Sequence, residues 1–493
     1  MLLALQAPVP DTLSQDVLGR TAARMSERQV AGGQDASSAA FLMGPSGSYT
    51  EAGIGLEGRR ERKPAWVEDG ATQGEAVAGV RTLVRLDSLQ AVRGQVEYRR
   101  GHKGGVLWNS GSDFRTVYPY IVADTVGGRV SREQYAFSGG YARRMGNVYA
   151  GVEGAYRALQ EYRSVDPRPR SIVSDLRVAL AAGYALPAGY AVDVTAAYRR
   201  YSQSETIDFY SRRGNNSAVF HLTGLGGDFY RFAGASDAYL TTRYAGNGVD
   251  VLLSLIPEAG RSGLKAAAGY QRMDIIHYLP YQNEAPYTES ISRTGSLEAG
   301  WLGERWALSV RGRMEAREGI ESVIDNGAAG RFLELLRFSM YRGRWYEGGL
   351  EGIWEPASWS FTASVFWRGQ DESYVYPVRK MSLSQLVVSI GGAFRRRLSR
   401  DWLAAAGLRA GCGINLTDAL TLPVAETQPK ALTHIRNRYD GLCADVLTAA
   451  AHLRADRRIR EDFSLFVSLE GRLLTTTADN RAGFGTLTIG CNF

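Results

Sequence analysis

From about residue 46 to its last residue the chain alternates apolar and polar side chains with a period of two, in roughly 18 separate segments. In GYAVDVTAAYRRY (189–201), Tyr190, Val192, Val194, Ala196 and Tyr198 fall on one side, and Asp193, Thr195, Ala197 and Arg199 on the other. In RWALSVRGRMEAR (305–317), Trp306, Leu308, Val310 and Met314 oppose Ser309, Arg311, Arg313, Glu315 and Arg317. SWSFTASVFWR, AVRGQVEYRR and EDFSLFVSLEGRL behave alike. The pattern predicts strands starting near residues 48, 74, 91, 132, 147, 172, 189, 248, 262, 291, 305, 344, 358, 382, 402, 441, 462 and 482. That is about 16–18 strands, since strand ends are read less sharply than strand existence.

Each segment runs roughly 10–15 residues, longer than the ~5–6 usual in a soluble sandwich. The polar face is charged, with both signs present. Glu75, Arg81 and Arg85 share one face of one strand. Same-face neighbours suggest that Glu97 pairs with Arg93 and Arg99, Glu153 with Arg157, Asp175 with Arg177, and Glu470 with Arg472. With Asp193, Arg199, Arg311, Arg313 and Glu315 these residues are the candidate lumen lining. Such a face must meet water or other charges, while the opposite face must meet something apolar and large. A closed, all-β, up-and-down antiparallel barrel in lipid satisfies both, and closure removes unpaired sheet edges.

No segment reaches the ~18 apolar residues that a membrane helix needs, whereas a membrane strand needs only ~9–11, half of them apolar. The net charge of +7 comes from arginines spread evenly, with no basic helix or run, which argues against nucleic acid as a partner. Short connections (DSLQ, MGN, PAG, LGE, EPAS, LSRD, RADRR) alternate with longer ones at 105–130, 205–235, 277–290, 318–332 and 417–438. Aromatics flank the short turns: Trp301 and Trp306 around LGER, Trp354 and Trp359 around EPAS, and Tyr184 and Tyr190 around LPAG. Phe394 and Trp402 flank RRRLSRD, and Phe463 follows the last short turn. An aromatic girdle at a membrane interface predicts this placement.

The chain ends on AGFGTLTIGCNF, where Leu487, Ile489, Cys491 and Phe493 alternate with Thr486, Thr488, Gly490 and Asn492. This ending resembles that of Gram-negative outer-membrane β-barrels, which close on a strand with outward apolar residues and a terminal Phe. The resemblance covers about 46–493 as a pattern. It implies an outer-membrane location with short turns in the periplasm, long loops outside and an even strand number. It also implies contact with lipid and lipopolysaccharide, and with the barrel-assembly machinery, which reads Leu487, Ile489 and Phe493 as its signal. Cys491 is less usual there.

The N-terminal part differs. MLLALQA before PVPDT reads as the end of a signal peptide's apolar region, short and without a basic start, so residues 1–10 are taken as a signal-peptide remnant. Residues 11–29 place Leu13, Val17, Leu18, Ala22 and Met25 at helical spacing. Residues 11–45 are therefore assigned to a helical plug segment and 46–493 to the barrel. The helix resembles the plug segments of fatty-acid-transport-type barrels. The stretch before the first strand, SSAAFLMGPSGSYT, lacks that family's Asn-Pro-Ala motif. Barrels that serve beside nutrient-uptake receptors are equally similar.

Chemistry has few candidates. The five His are His102, His221, His277, His434 and His452, no two close in sequence. General acid–base work needs a partner within reach, and spacing supplies none; a rim metal site built from several His is the alternative to solvated or structural roles. No CxxC pair is present, so no zinc site and no cofactor are expected. Cys412 and Cys443 lie near the outer ends of neighbouring strands. An oxidising compartment allows a disulfide closing 413–442, while parity points both side chains outward and equally leaves free thiols.

The function expected is not enzymatic. It is passage or assisted uptake of a small or lipidic solute through the charged lumen. The alternative is a barrel that docks to other outer-membrane proteins without transporting, and a barrel hydrolase is third. A continuous water path separates the first from the second. A His within hydrogen-bond distance of a carboxylate or Ser bears on the third.

Overall fold

The computed structural model describes residues 16–26, 47–210, 219–229, 241–258, 261–279, 285–326, 332–423 and 429–493. Eighteen antiparallel strands pair in chain order. The first six are Tyr49–Glu61, Thr72–Arg85, Gln90–Val106, Gly128–Met145, Val148–Tyr162 and Arg168–Leu186. Tyr190–Asp208, Thr241–Pro257, Gly263–Leu279, Ala285–Leu302, Trp306–Asn326 and Phe332–Trp354 follow. Trp359–Tyr374, Arg379–Arg397, Trp402–Thr421, Val446–Arg460, Phe463–Thr476 and Arg481–Asn492 complete the wall. The last strand then pairs with the first, Ile54 opposite Ile489 and Leu56 opposite Leu487, so the sheet has no free edge.

Alternation decides which way each side chain points. Ile54, Leu56, Leu180, Leu297, Ile390 and Leu408 project from the outer surface, whereas Tyr149, Tyr201, Tyr244, Tyr341 and Met381 are buried within. Among the described residues no helix is long and apolar enough to cross a membrane, so the strands alone form the wall.

Three expectations about connections are corrected. The stretches 277–290 and 318–332 are largely strand: Trp306–Asn326 has 21 residues and Phe332–Trp354 has 23. A bilayer needs only ~9–11, so the ladder continues beyond the lipid, where polar side chains are tolerated on both faces and the sequence reads as loop. RADRR is likewise strand, and the turn falls at 461–462. Its charges look turn-like because Arg454 and Asp456 face inward and pair at 3.0 Å.

At the short-turn end an N-terminal helix, Val17–Arg24, lies against the inner wall. Asp16 caps it, accepting from the Gly19 N–H at 3.0 Å. The same carboxylate pairs with Arg397 at 2.5 Å and Arg458 at 2.9 Å, while Val17 and Leu18 pack on Leu403. The helix ends at the Met25 cap, and residues 11–15 and 27–29 of the expected helix lie outside the described residues.

Candidate functional site

Two connections at the other end turn into the barrel. The 107–127 connection carries a short helix, Phe114–Val117, and a strand, Tyr120–Asp124. That strand pairs antiparallel with Val219–Gly224 from the 209–240 connection, Ile121 opposite Leu222 and Val122 opposite His221. Gly227–Asp228 adds a third, short strand. Every residue of the two longer strands is buried.

This small sheet bridges the lumen. The Ser112 hydroxyl donates to Glu161 at 2.9 Å, and Arg157 donates to Asp113 at 3.0 Å. Tyr201 donates to Asp113 at 3.3 Å. On the opposite wall Arg317 donates to the Tyr118 carbonyl at 2.6 Å, Tyr118 donates to Glu372 at 2.6 Å, and Arg379 donates to the Gly224 carbonyl at 3.1 Å. Those partners belong to strands distributed around the ring, so the segment spans the bore. Trp108, Phe114, Tyr118, Phe220, Tyr244 and Tyr341 form a packed apolar core there.

A third connection and a helix seal the plug. Helix Pro429–Cys443 carries His434, whose Nε2 lies 3.0 Å from the buried Glu68 carboxylate. Arg438 pairs with the same carboxylate. The Trp108 indole stacks on His434 at 5.4 Å, and Trp66 holds the Arg438 and Arg115 guanidiniums at 4.4 and 4.7 Å. Burial pulls the His434 imidazole down to about 4, so it is neutral at pH 7. Burial lowers Arg438 to about 9, which leaves it charged. Burial, then the Glu372 carboxylate, holds the Tyr118 phenol well above its usual value. The His–carboxylate contact sought as the mark of a hydrolase is thus present at His434–Glu68, but sealed beneath Trp108 and shared with an arginine.

Toward the short-turn end the lumen stays polar and hollow. All the candidate lining residues have inward parity, but the pairing within single strands is mostly replaced by pairing across strands. Glu153 pairs with Arg93 at 2.6 Å rather than with Arg157, which instead meets Asp113 and Asp175. Asp175 takes Arg199 at 2.7 Å, and Arg177 takes Asp250 at 2.6 Å. Arg311 pairs with Glu351 at 2.7 Å. Glu75 pairs with Arg132 at 2.7 Å. Register explains the choice: Asp175 is directly opposite Arg157, whereas Glu153 reaches Arg93 across Gly140 and Glu75 reaches Arg132 across Gly101, two strands away, because a glycine in the intervening strand leaves the row open to a long arginine side chain. Pairs along a single strand also form, among them Glu97–Arg99 and Glu315–Arg317, both at 2.6 Å, and Arg454–Asp456 at 3.0 Å. Asp193 accepts from Thr195 at 3.1 Å. Arg85 and its neighbour Arg81 stand on the inner face of Thr72–Arg85. Among the described residues Arg81, Arg313, Glu470 and Arg472 make no ion pair. A cavity of about 290 Å³ lies between Arg81, Arg93, Glu153 and Arg177.

The aromatics named from sequence collect outside the short-turn end. Trp306 faces Trp354 in register, and Trp301 faces Leu308. Trp354 meets Phe361 at 5.6 Å, Trp359 meets Phe394 at 4.8 Å, and Phe463 meets the terminal Phe493 at 5.1 Å. Tyr184 and Trp402 are exposed there, and the Tyr190 hydroxyl accepts from the Leu264 N–H at 3.2 Å. Leu487, Ile489 and Phe493 are exposed on the same outer surface.

Sequence reasoning missed the interior partners of the histidines. His221 and His277, distant in sequence, stack at 6.3 Å, and Tyr244 lies 4.0 Å from His277. Among the described residues no group of three or more His, Cys, Asp or Glu is placed to hold a metal. Cys412, Cys443 and Cys491 are free thiols.

A closed wall, apolar outside and charged within, defines a transmembrane β-barrel of the outer-membrane type. The chain belongs to a family described as a family of unknown function (DUF6850), which it matches over residues 39–493. No curated protein matches it. Among solved structures it is similar to the ferric-catecholate import receptor Fiu from E. coli K12, at 9% identity and TM-score 0.40, covering 90% of this chain and 81% of that one. It is also similar to BauA, the ferric preacinetobactin receptor from Acinetobacter baumannii, at 8% identity and TM-score 0.43, covering 90% and 80%. The copper transporter OprC gives 7% identity and TM-score 0.42, covering 90% and 80%. Such distant likenesses carry no argument about cargo.

Proposed function

We propose that this protein is a gated barrel in the outer membrane of a Gram-negative bacterium, passing or helping to take up a small solute without any covalent step. The supporting observation is the contrast between the two halves of the lumen. The half nearest the long connections is filled by loops held through hydrogen bonds and ion pairs, and the other half is a hollow, charged vestibule. Loops joined covalently to the wall only at their ends, and otherwise by hydrogen bonds and ion pairs, can leave the bore, whereas the wall cannot open. In this reading the vestibule faces the periplasm, and the outward aromatics at its rim form the interfacial girdle. Residues 11–45 act as a second, periplasmic plug, the role their likeness to fatty-acid-transport-type segments suggests. Leu487, Ile489 and Phe493 serve assembly, and the outer wall meets lipid and lipopolysaccharide.

The filled half favours one other reading, a barrel that docks to another outer-membrane protein through its loop-covered face. Conductance of purified protein in planar bilayers separates the two. Three forms are compared: intact, lacking residues 1–45, and with 108–124 replaced by a short Gly–Ser linker. A gated transporter gives steady steps once a plug is removed. Silence in all three forms overturns passage and leaves docking.

A further inference from the structure

We infer that the vestibule contains a binding site for a small hydroxylated oxyanion, of the sugar-acid or sugar-phosphate kind, centred on Arg409 and Arg472. The site deepens the transport reading, yet it is measured as binding alone. A cavity of about 480 Å³ lies on the inner wall among Thr362, Arg409, His452, Glu470, Arg472 and Thr486. A pocket of this size suits one small ligand.

Strand register builds it. Gly391 lies opposite Arg409, Arg409 opposite Ala450, and Ala450 opposite Arg472. The two arginines therefore stand two strands apart in one row, ~10 Å between backbones, with only Ala450 between them. Glycine is needed at 391: a methyl group there would sit 2.7 Å from Thr362 Oγ1 and 3.4 Å from Arg409 Nε. Phe484, opposite Arg472 in register, holds its guanidinium 5.7 Å from the ring.

The charge is uncompensated. Arg99, Arg311 and Arg454 in the same lumen each meet a carboxylate within 3.0 Å. Among the described residues Arg409 and Arg472 have neither an ion pair nor a side-chain hydrogen bond. Guanidinium groups in this state bind carboxylate or phosphate by paired, charge-assisted hydrogen bonds. Glu470, opposite His452 in register, also pairs with neither arginine. A bare anion would gain nothing from that carboxylate, whereas a ligand bearing hydroxyls would donate to it. Thr362 and Thr486 add hydroxyls on the remaining sides.

The test is calorimetric titration of the full chain in detergent with glucuronate, glucose 6-phosphate, inorganic phosphate and neutral glucose. At least one sugar anion should bind, with glucose at least tenfold weaker. R409Q and R472Q should each weaken that binding at least tenfold, and E470Q should narrow the preference for the sugar anion over inorganic phosphate. The two sugar anions tell a carboxylate-led ligand from a phosphate-led one. Glutamine in the lumen leaves the wall intact, which unchanged heat-dependent gel migration verifies. Absence of binding by both sugar anions, or binding indifferent to both arginine substitutions, overturns the site. Binding without passage in liposomes leaves the site standing and removes only the transport role.

Discussion

The phenolic hydroxyl of Tyr118 lies 2.6 Å from Oε2 of Glu372, joining an inward connection to the wall 254 residues later. Tyr341 donates to the same oxygen at 2.7 Å. Both tyrosines and the carboxylate are buried. Removing one donor leaves a buried acceptor short of a partner, which costs about 1–3 kcal/mol. Tyr118→Phe should therefore loosen the plug without disturbing the barrel. Brief openings should become more frequent in bilayer recordings, while heat-dependent gel migration stays as in the wild type. Unchanged recordings would show that this contact does not hold the gate.

Trp108 is the larger lever. It packs on Phe220 at 5.8 Å and on His434 at 5.4 Å, joining two inward connections to the sealing helix. Trp108→Ala removes a large side chain from the plug core, a change worth about 3–5 kcal/mol. Steady conductance steps are expected, with proteases gaining access to 108–124. A silent, protease-resistant variant would place the closure elsewhere.

Acid should weaken the same region. The His434 imidazole is held down to about 4 by burial, below its unfolded value near 6.5. Between those values the unfolded or released form binds the proton and the packed form does not, so stability falls as pH falls. The loss begins below about 6.5 and is complete near 4. At pH 5 it amounts to about 2 kcal/mol. The groups facing His434 are Glu68, Arg438 and Trp108. Protection factors across 429–443, with the intrinsic pH dependence of amide exchange divided out, should be lower at pH 5 than at pH 7, and His434→Asn should flatten the difference. Protection factors independent of pH in the wild type would contradict the burial argument.

The outer face makes a separate prediction. Leu56 is exposed on the first strand, directly opposite Leu487 of the last. An arginine on a lipid-facing position near mid-bilayer costs about 2–4 kcal/mol. Leu56→Arg should lower urea stability in vesicles by that order, while Glu57→Gln, one residue on and facing inward, should change it far less. Equal effects would mean that the parity of this strand is misassigned.

The helix cap offers a last check. Asp16 both caps Val17–Arg24 and pairs with Arg397 and Arg458. Asp16→Ala should release the helix from the wall, at about 1 kcal/mol for the cap plus the lost pairs. Cross-linking between cysteines placed at Leu18 and Leu403 should fall. Undiminished cross-linking would show that apolar packing alone holds the helix.

The wall was legible because its determinants are local. Alternation in segments such as 189–201 and 305–317 is set by whether each residue meets lipid or lumen, so strand number, inward parity and closure onto Arg481–Asn492 follow from one repeating period. The readings at 277–290, 318–332 and RADRR failed where that period outruns the bilayer and polar residues stand on both faces.

What fills the barrel was decided only by the tertiary structure. The pairing of Tyr120–Asp124 with Val219–Gly224, and of Glu68 with His434, joins residues far apart in the chain that carry no periodic signature. Glu153 meets Arg93 across Gly140 of the intervening strand, and Arg157 meets Asp175 opposite it and Asp113 of an inward connection, relations that a single strand's spacing does not contain. The sequence alone determined a closed barrel with a charged interior, because burial in lipid selects every second residue. Whether that interior conducts, binds or stays shut depends on contacts across the bore, because only folding brings their partners together.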